Sequence, residues 1–385
     1  MLSPVLLLLA QAAAPPPPAG DVIVVGHRAE QELARCLARN CPPAEEVDAS
    51  LEASVEQFAD GRYTDARRTL QTAIRRNRNH AAELPGPVSS LYATLATVAE
   101  HEGDTDLWRT AARNNVLVLR RHLGETNLAT LREELSFADS LVGLGAPGAA
   151  NSAYRTIQER AVESGHPGIA AGAAFRRAWL ALLRDRFKEA RRFADEAVSL
   201  AGADDRSMVD LREVLRTRIA IRKGDEDAVE ALAARLRQSA DAQPQLLFAP
   251  PVADVNPPAP AYGVHLNPWH DPRIRFADVG YWIRANGQTA EVEVLRTSGL
   301  DQWEPGILRQ VRERRYVPLD VEPGHPGIYR IDRFTVRGAM DVPTGSHLRQ
   351  RMGDLTVHVV DLTETDAMRE ARRRQAEHPP VGKDS

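Results

Sequence analysis

The sequence predicts a chain in two parts: an all-α array of stacked helical hairpins, then a small α+β domain of order strand, strand, helix, strand. Three observations predict it. Turn anchors at 61, 103, 145, 185 and 224 recur at intervals of 42, 42, 40 and 39 residues. An alternating apolar pattern folds back about Asn286-Gly287, and a Pro-rich stretch separates the two signals. With 385 residues, 43% hydrophobic and 26% charged, the chain can bury two or three cores, and a net charge of −4 gives no general attraction to nucleic acid or anionic lipid.

The chain opens MLSPVLLLLAQAAAPPPPAG, where Val5–Ala10 is a short apolar run and Ala10-Gln11-Ala12 fits a small-x-small cleavage site. A membrane span needs about 20 apolar residues, roughly twice this run. Residues 1–19 are expected to be a signal peptide or a short anchor, so that the chain is exported. Residues 20–46 read as an N-terminal extended segment with a cysteine pair. Cys36 and Cys41 are the only cysteines, and an oxidising compartment favours a small closed loop between them. Positions five apart do not share a helical face, so closure needs a bend near Asn40.

From 47 to 240 the chain is rich in Ala, Leu, Arg and Glu with helical periodicity. Gly61-Arg-Tyr63-Thr-Asp-Ala66 with Leu70 and Ala73 reads as a helix end, a turn and a second helix packing small residues. Asp185-Arg-Phe187-Lys-Glu-Ala190 with Ala194 and Ala197 repeats it. Weaker copies sit at Gly103, Gly145 and Gly224, and Gly124–Asn127 and Ser164–Pro167 fall where turns between repeats belong. A helical pair cannot bury its apolar face alone, so five pairs are expected to stack as a solenoid with a groove for peptides or proteins.

Residues 241–272 read as a Pro-rich linker, an extended spacer setting the array apart from the next domain. In 273–340, Ala277, Val279, Tyr281 and Ile283 alternate before the Asn286-Gly287 turn, and Ala290, Val292 and Val294 follow it, a hairpin written in period two. Leu300–Arg315 reads as helix and Tyr329–Val336 as a further strand. Trp282 and Trp303 are expected in the core of this small domain. Residues 341–385 are expected to hold an extra strand at Leu355–Leu362, a charged helix from about Thr363 to His378 and a disordered tail.

The first and fourth helical copies resemble tetratricopeptide repeats, although the period exceeds the usual 34 residues. The run RANGQTAEVEVLRTSGLD, followed by a helix and Tyr316-Val317-Pro318, resembles the C-terminal domain of the TonB energy-transducer family. That resemblance implies binding by strand addition to an exposed edge made of Tyr329, Arg330, Ile331, Asp332, Arg333, Phe334, Thr335 and Val336. Asp21–Arg28 (DVIVVGHR) resembles the short extended motif near the N-terminus of TonB-dependent outer-membrane receptors. Its five strand-forming residues lie between Gly20 and Gly26.

The candidate chemistry is thin. Gly143-Leu-Gly145-Ala-Pro-Gly148 spells a dinucleotide-binding pattern, but it follows a helical stretch, contains Pro147 and falls on a repeat turn. His265, His270 and Asp271 gather in one loop without a further clear metal ligand, so packing of Trp269 is the better reading. The basic runs Arg312–Tyr316 and Arg372–Arg374 read as solvated helix faces. The expectation is a non-enzymatic, cofactor-free and metal-free adaptor of the bacterial envelope, periplasmic or anchored in the inner membrane facing the periplasm. It binds protein or peptide partners, outer-membrane receptor segments among them, and no nucleic acid. The alternatives are an energy transducer for outer-membrane transport with a displaced start, and an envelope hydrolase using the His265/His270 loop as a metal site.

Overall fold

The computed structural model describes residues 28–143, 145–202, 204–225, 227–239, 244–252, 254–256, 273–343 and 345–363. The signal or anchor segment, the strand-forming stretch at 21–25, the His265/His270 loop with Trp269 and the expected C-terminal helix and tail lie outside them. The N-terminal part is helical, and the C-terminal part is built on an antiparallel sheet.

A first helix, α1 (Arg28–Ala38), leads into helices that pack in consecutive pairs. They are α2 (Pro43–Ala59) with α3 (Tyr63–Asn77), α4 (Pro85–Glu102) with α5 (Thr105–Leu123), and α6 (Leu128–Gly143) with α7 (Pro147–Glu163). Then come α8 (Pro167–Leu183) with α9 (Phe187–Ala201), and α10 (Arg206–Arg222) with the short α11 (Ala228–Ala233). Each turn anchor read from the sequence sits between the two helices of a pair in the left-handed region, from φ 55° at Asp185 to φ 95° at Gly224. The small residues expected beneath the turns are buried: Ala66, Leu70 and Ala73 in α3, and Ala190, Ala194 and Ala197 in α9. The glycine run at 143–148 links α6 to α7 with Pro147 in the first helical turn. A dinucleotide site needs a strand before that run, and here a helix precedes it.

Cys36 and Cys41 are joined as a disulfide with Cα atoms 5.1 Å apart. The expected bend falls at Asn40, φ 50°, and the Cys41 amide donates to the Cys36 carbonyl. The staple ends α1 and turns the chain into α2.

The C-terminal sheet is formed by β3 (Arg275–Ile283), β4 (Thr289–Thr297), β7 (Ile328–Asp341) and β8 (Gln350–Asp361), in the order β4-β3-β7-β8 and antiparallel throughout. Asn286-Gly287 closes the β3–β4 hairpin as expected. Ala277, Val279, Tyr281 and Ile283 face a core with Ile307 and Val311 of α12 (Glu304–Arg312), and Trp303 is half-buried against it. Trp282 instead points away from that core and packs on Tyr329, ring centroids 5.2 Å apart, because alternation sends even positions of β3 to the opposite face.

Three expectations are corrected. First, Tyr329–Val336 is not an edge. β7 is six residues longer than that stretch and is flanked on its far side by β8, paired from Asp332↔Asp361 to Asp341↔Gln350. An alternating pattern says which face a residue takes, not how many neighbours its strand acquires.

Second, the described part of the Pro-rich stretch is not a free spacer. Its β2 (Leu246–Phe248) pairs with β5 (Arg315–Tyr316), just as β1 (Gln238–Ser239) pairs with β6 (Leu319–Asp320). Leu247 is buried with Val214, Leu232 and Val317, so the segment ties the last helices to the sheet. Third, Arg314 is buried at 7% exposure and is not on a solvated helix face.

Candidate interaction surfaces

The sheet sits on the tips of the first two helical pairs. Phe276 of β3 enters the helical core beside Phe58, Tyr63 and Trp108. Arg333 of β7 is fully buried: Nε and Nη2 grip Asp278 at 2.6 and 2.9 Å, and Nη1 donates to the Phe58 carbonyl at 2.6 Å. Its Nη2 reaches the Ala59 carbonyl too, so a guanidinium caps the C-terminal end of α2, where carbonyls lack helical partners and the dipole favours a cation. Burial opposes the charge, but the Asp278 hydrogen bond and nearby groups outweigh it and hold the Arg333 pKa above its usual value.

The same device recurs at α4. Arg337 donates to the Glu100 carbonyl (Nε, 3.1 Å), Arg351 to the Glu102 carbonyl (2.8 Å), and the Met340 amide to the Gly103 carbonyl (2.8 Å). Arg349 pairs with Asp104 at 2.9 Å. His101 lies between the two tips, 3% exposed, with Nδ1 3.0 Å from the Thr335 hydroxyl and its ring packed on Phe58 and Tyr63. Burial, then the facing His358, Arg337 and Arg333, push its pKa down to about 3. Burial draws the Arg337 pKa down to about 10.

Inside the sheet domain, Arg314, Asp332, Tyr281 and Tyr316 form a closed polar cluster. The Tyr281 hydroxyl donates to Asp332 at 2.9 Å, lies 3.0 Å from the Tyr316 hydroxyl and accepts from Arg314 at 2.8 Å. Burial holds Tyr281 protonated by raising its pKa. These groups satisfy one another, as buried polar groups must. Their role is to order the core, since α12, β3, β5 and β7 all converge on them.

Two places at the margin of the packed core remain partly exposed. On α8 and α10, Phe175 and Trp179 lie half-buried, ring centroids 6.5 Å apart, with the Arg218 guanidinium carbon 5.3 Å from the Trp179 centroid. Arg218 Nε is buried without a hydrogen-bond partner among the described residues, and burial lowers the residue's pKa. A cation over an aromatic face beside a second ring is a ready contact for a partner side chain. The second surface is the outer edge of β4, which no strand pairs among the described residues. The outer edge of β8 is partly closed by the Asn256 side chain, which bonds both the amide and the carbonyl of Leu355.

Sequence reasoning placed Cys36 and Cys41 correctly and put Tyr329–Val336 on a strand of the wrong neighbourhood. It missed Asp278, Arg337 and His101, and it gave Arg333 a place on a partner-binding edge where the structure buries it. A charged residue in an otherwise strand-forming run, such as Arg333 before Phe334, was the available signal. Among the described residues no group of three or more His, Cys, Asp and Glu is placed to hold a metal, and no helix is long and apolar enough to cross a membrane.

No family model matches the chain, and no curated protein matches it. Among solved structures, BtubC (BKLC) from P. vanneervenii aligns over 54% of this chain and 86% of its own, at 16% identity and a TM-score of 0.43. A likeness of that extent carries no argument about fold or function.

Proposed function

We propose that the chain is a non-enzymatic, protein-binding adaptor of the bacterial envelope. Its helical part is read as a tetratricopeptide-like solenoid and its sheet part as a relative of the TonB C-terminal domain. The observation that carries the reading is the partly exposed aromatic and cationic cluster of Phe175, Trp179 and Arg218 on α8 and α10. Paired helices stacked in register present such faces side by side, and their use is to hold an extended or helical segment of a partner. The Cys36–Cys41 bridge supports an oxidising compartment, in line with export into the periplasm.

Strand addition, expected on Tyr329–Val336, has no room from Asp332 to Val336 because β8 occupies that side. Any such binding by the sheet falls to β4. The reading is tested with purified full chain as bait for chemical crosslinking in envelope extract, beside a Trp179→Ala/Arg218→Ala double variant of unchanged far-UV circular dichroism. Partners captured by the natural chain and lost from the variant support the adaptor role. Equal capture by both chains removes the helical face from it.

A further inference from the structure

We propose that residues 21–25 of this chain dock in cis along the outer edge of β4 as a fifth strand of the sheet. β4 is first in the sheet order, so its far side offers main-chain donors and acceptors without a strand to meet them among the described residues. One flank of that edge is apolar and the other is mixed, with the exposed Glu291 and Glu293 beside Leu295. Val292 and Val294 lie on the side of the α12 core, while Leu295, 41% exposed, lies on the other side with Trp282 and Tyr329.

The position of the chain entry selects the occupant. The Ala29 amide, at the start of α1, donates to Glu56 of α2 at 2.8 Å. Glu30 is paired with Arg62, Arg62 lies 3.5 Å from Asp60, and Asp60 lies 3.5 Å from Arg296 of β4. A relay of ion pairs at the α2–α3 turn therefore holds the entry to α1 beside the C-terminal end of β4. Residues 21–27 fully extended reach at most about 25 Å, against about 30 Å for the nine residues of β4. A segment that ends at α1 and lies on β4 runs back from Arg296 toward Thr289, and so parallel to β4, giving a mixed sheet of a common kind.

The residues suit the place. In an added strand Val22 and Val24 would take one face and Ile23 and Val25 the other, so that one β-branched pair meets the Val292 and Val294 side and the other meets Leu295, Trp282 and Tyr329. Asp21 is the one charged side chain of the five. Docking closes a free edge that otherwise invites pairing between copies. The inference stands apart from whatever the helical face binds.

Hydrogen exchange on the full-length chain tests it, read by mass spectrometry against an Ile23→Pro/Val24→Pro variant. Adjacent amides in a strand point to opposite sides, so one of the two prolines must remove a bond to β4 whatever the register. Both substitutions precede α1, and unchanged far-UV circular dichroism checks that the body is intact. The expected result is exchange of those amides among 22–25 that face β4 about tenfold or more slower than in a peptide of the same sequence, and a similar loss of protection at the outward-facing amides of 290–296 in the variant. Free-peptide rates at 22–25, or equal β4 protection in the two chains, overturn the proposal. So does protection that disappears when a dimer is diluted to monomer, since a second copy then supplies the strand.

Discussion

Arg333 is the point where five acceptors converge: both Asp278 oxygens, the Phe58 and Ala59 carbonyls and the Tyr63 hydroxyl. Arg333→Ala leaves Asp278 buried with Arg296 as its remaining cation and the end of α2 uncapped. Breaking a buried pair from one side costs about 3–5 kcal/mol, to be read as a lower denaturant midpoint at unchanged m value. Arg333→Lys keeps the charge but cannot fork to a carboxylate and two carbonyls, so its loss is expected to be smaller yet clear. His101 supplies the pH dependence. Its folded pKa is depressed to about 3, against about 6.5 unfolded, so below pH 6.5 the unfolded chain takes up a proton that the native one refuses. Its contribution is intact above pH 6.5 and is lost as pH falls toward 3, by at most about 1.4 kcal/mol per pH unit. Denaturant titrations across that window measure the slope, and His101→Gln is expected to flatten it.

At the scale of elements, the turns of the first two helical pairs are also docking points for the sheet. Gly103 has φ 77°, and a Cβ there would sit 2.5 Å from the Gly338 carbonyl oxygen of β7. Gly103→Ala is therefore expected to combine left-handed strain with a clash against backbone, a loss of about 1–3 kcal/mol. Gly145→Ala is the control. Gly145 shares the left-handed φ, at 70°, but nothing lies within 4 Å of its Cβ position, so only the strain remains. The difference between the two midpoints isolates the docking contact. In β7, Thr335 is fully buried in a strand paired on both sides. Thr335→Pro is expected to destabilise the whole sheet by about 3 kcal/mol or more, not to weaken partner binding selectively, and thermal unfolding separates those outcomes.

At the scale of the molecule, the C-terminal part braces both ends of the helical array, α2 to α5 directly and α10 and α11 through Leu247 and Val317, and leaves its middle alone. Phe276, Arg333, Arg337 and Arg351 contact α2 to α5, whereas α6 to α9 pack on their own neighbours around Leu131, Tyr154, Ala178 and Phe193. A fragment of residues 28–240 is expected to keep hydrogen-exchange protection in α6 to α9 and to lose it in α2 to α5. Uniform protection along the fragment would mean that the array is indifferent to the sheet.

Much of this was legible in local pattern. Turn anchors near every fortieth residue, small residues behind them, the Asn286-Gly287 hairpin and the bend between the cysteines are short-range features, set by backbone sterics and by periods of 3.6 and 2. Those features by themselves determined the helical pairs, the hairpin and which of its residues face the α12 core. Only the tertiary structure decided that β7 is internal, that the Pro-rich stretch pairs with β5, and that Arg314 and Arg333 are buried. The physical reason is that an arginine is written identically whether it meets water or a helix C-terminus. Its partners, two carbonyls at positions 58 and 59 and a carboxylate at 278, lie 275, 274 and 55 residues away and carry no mark in the sequence around it.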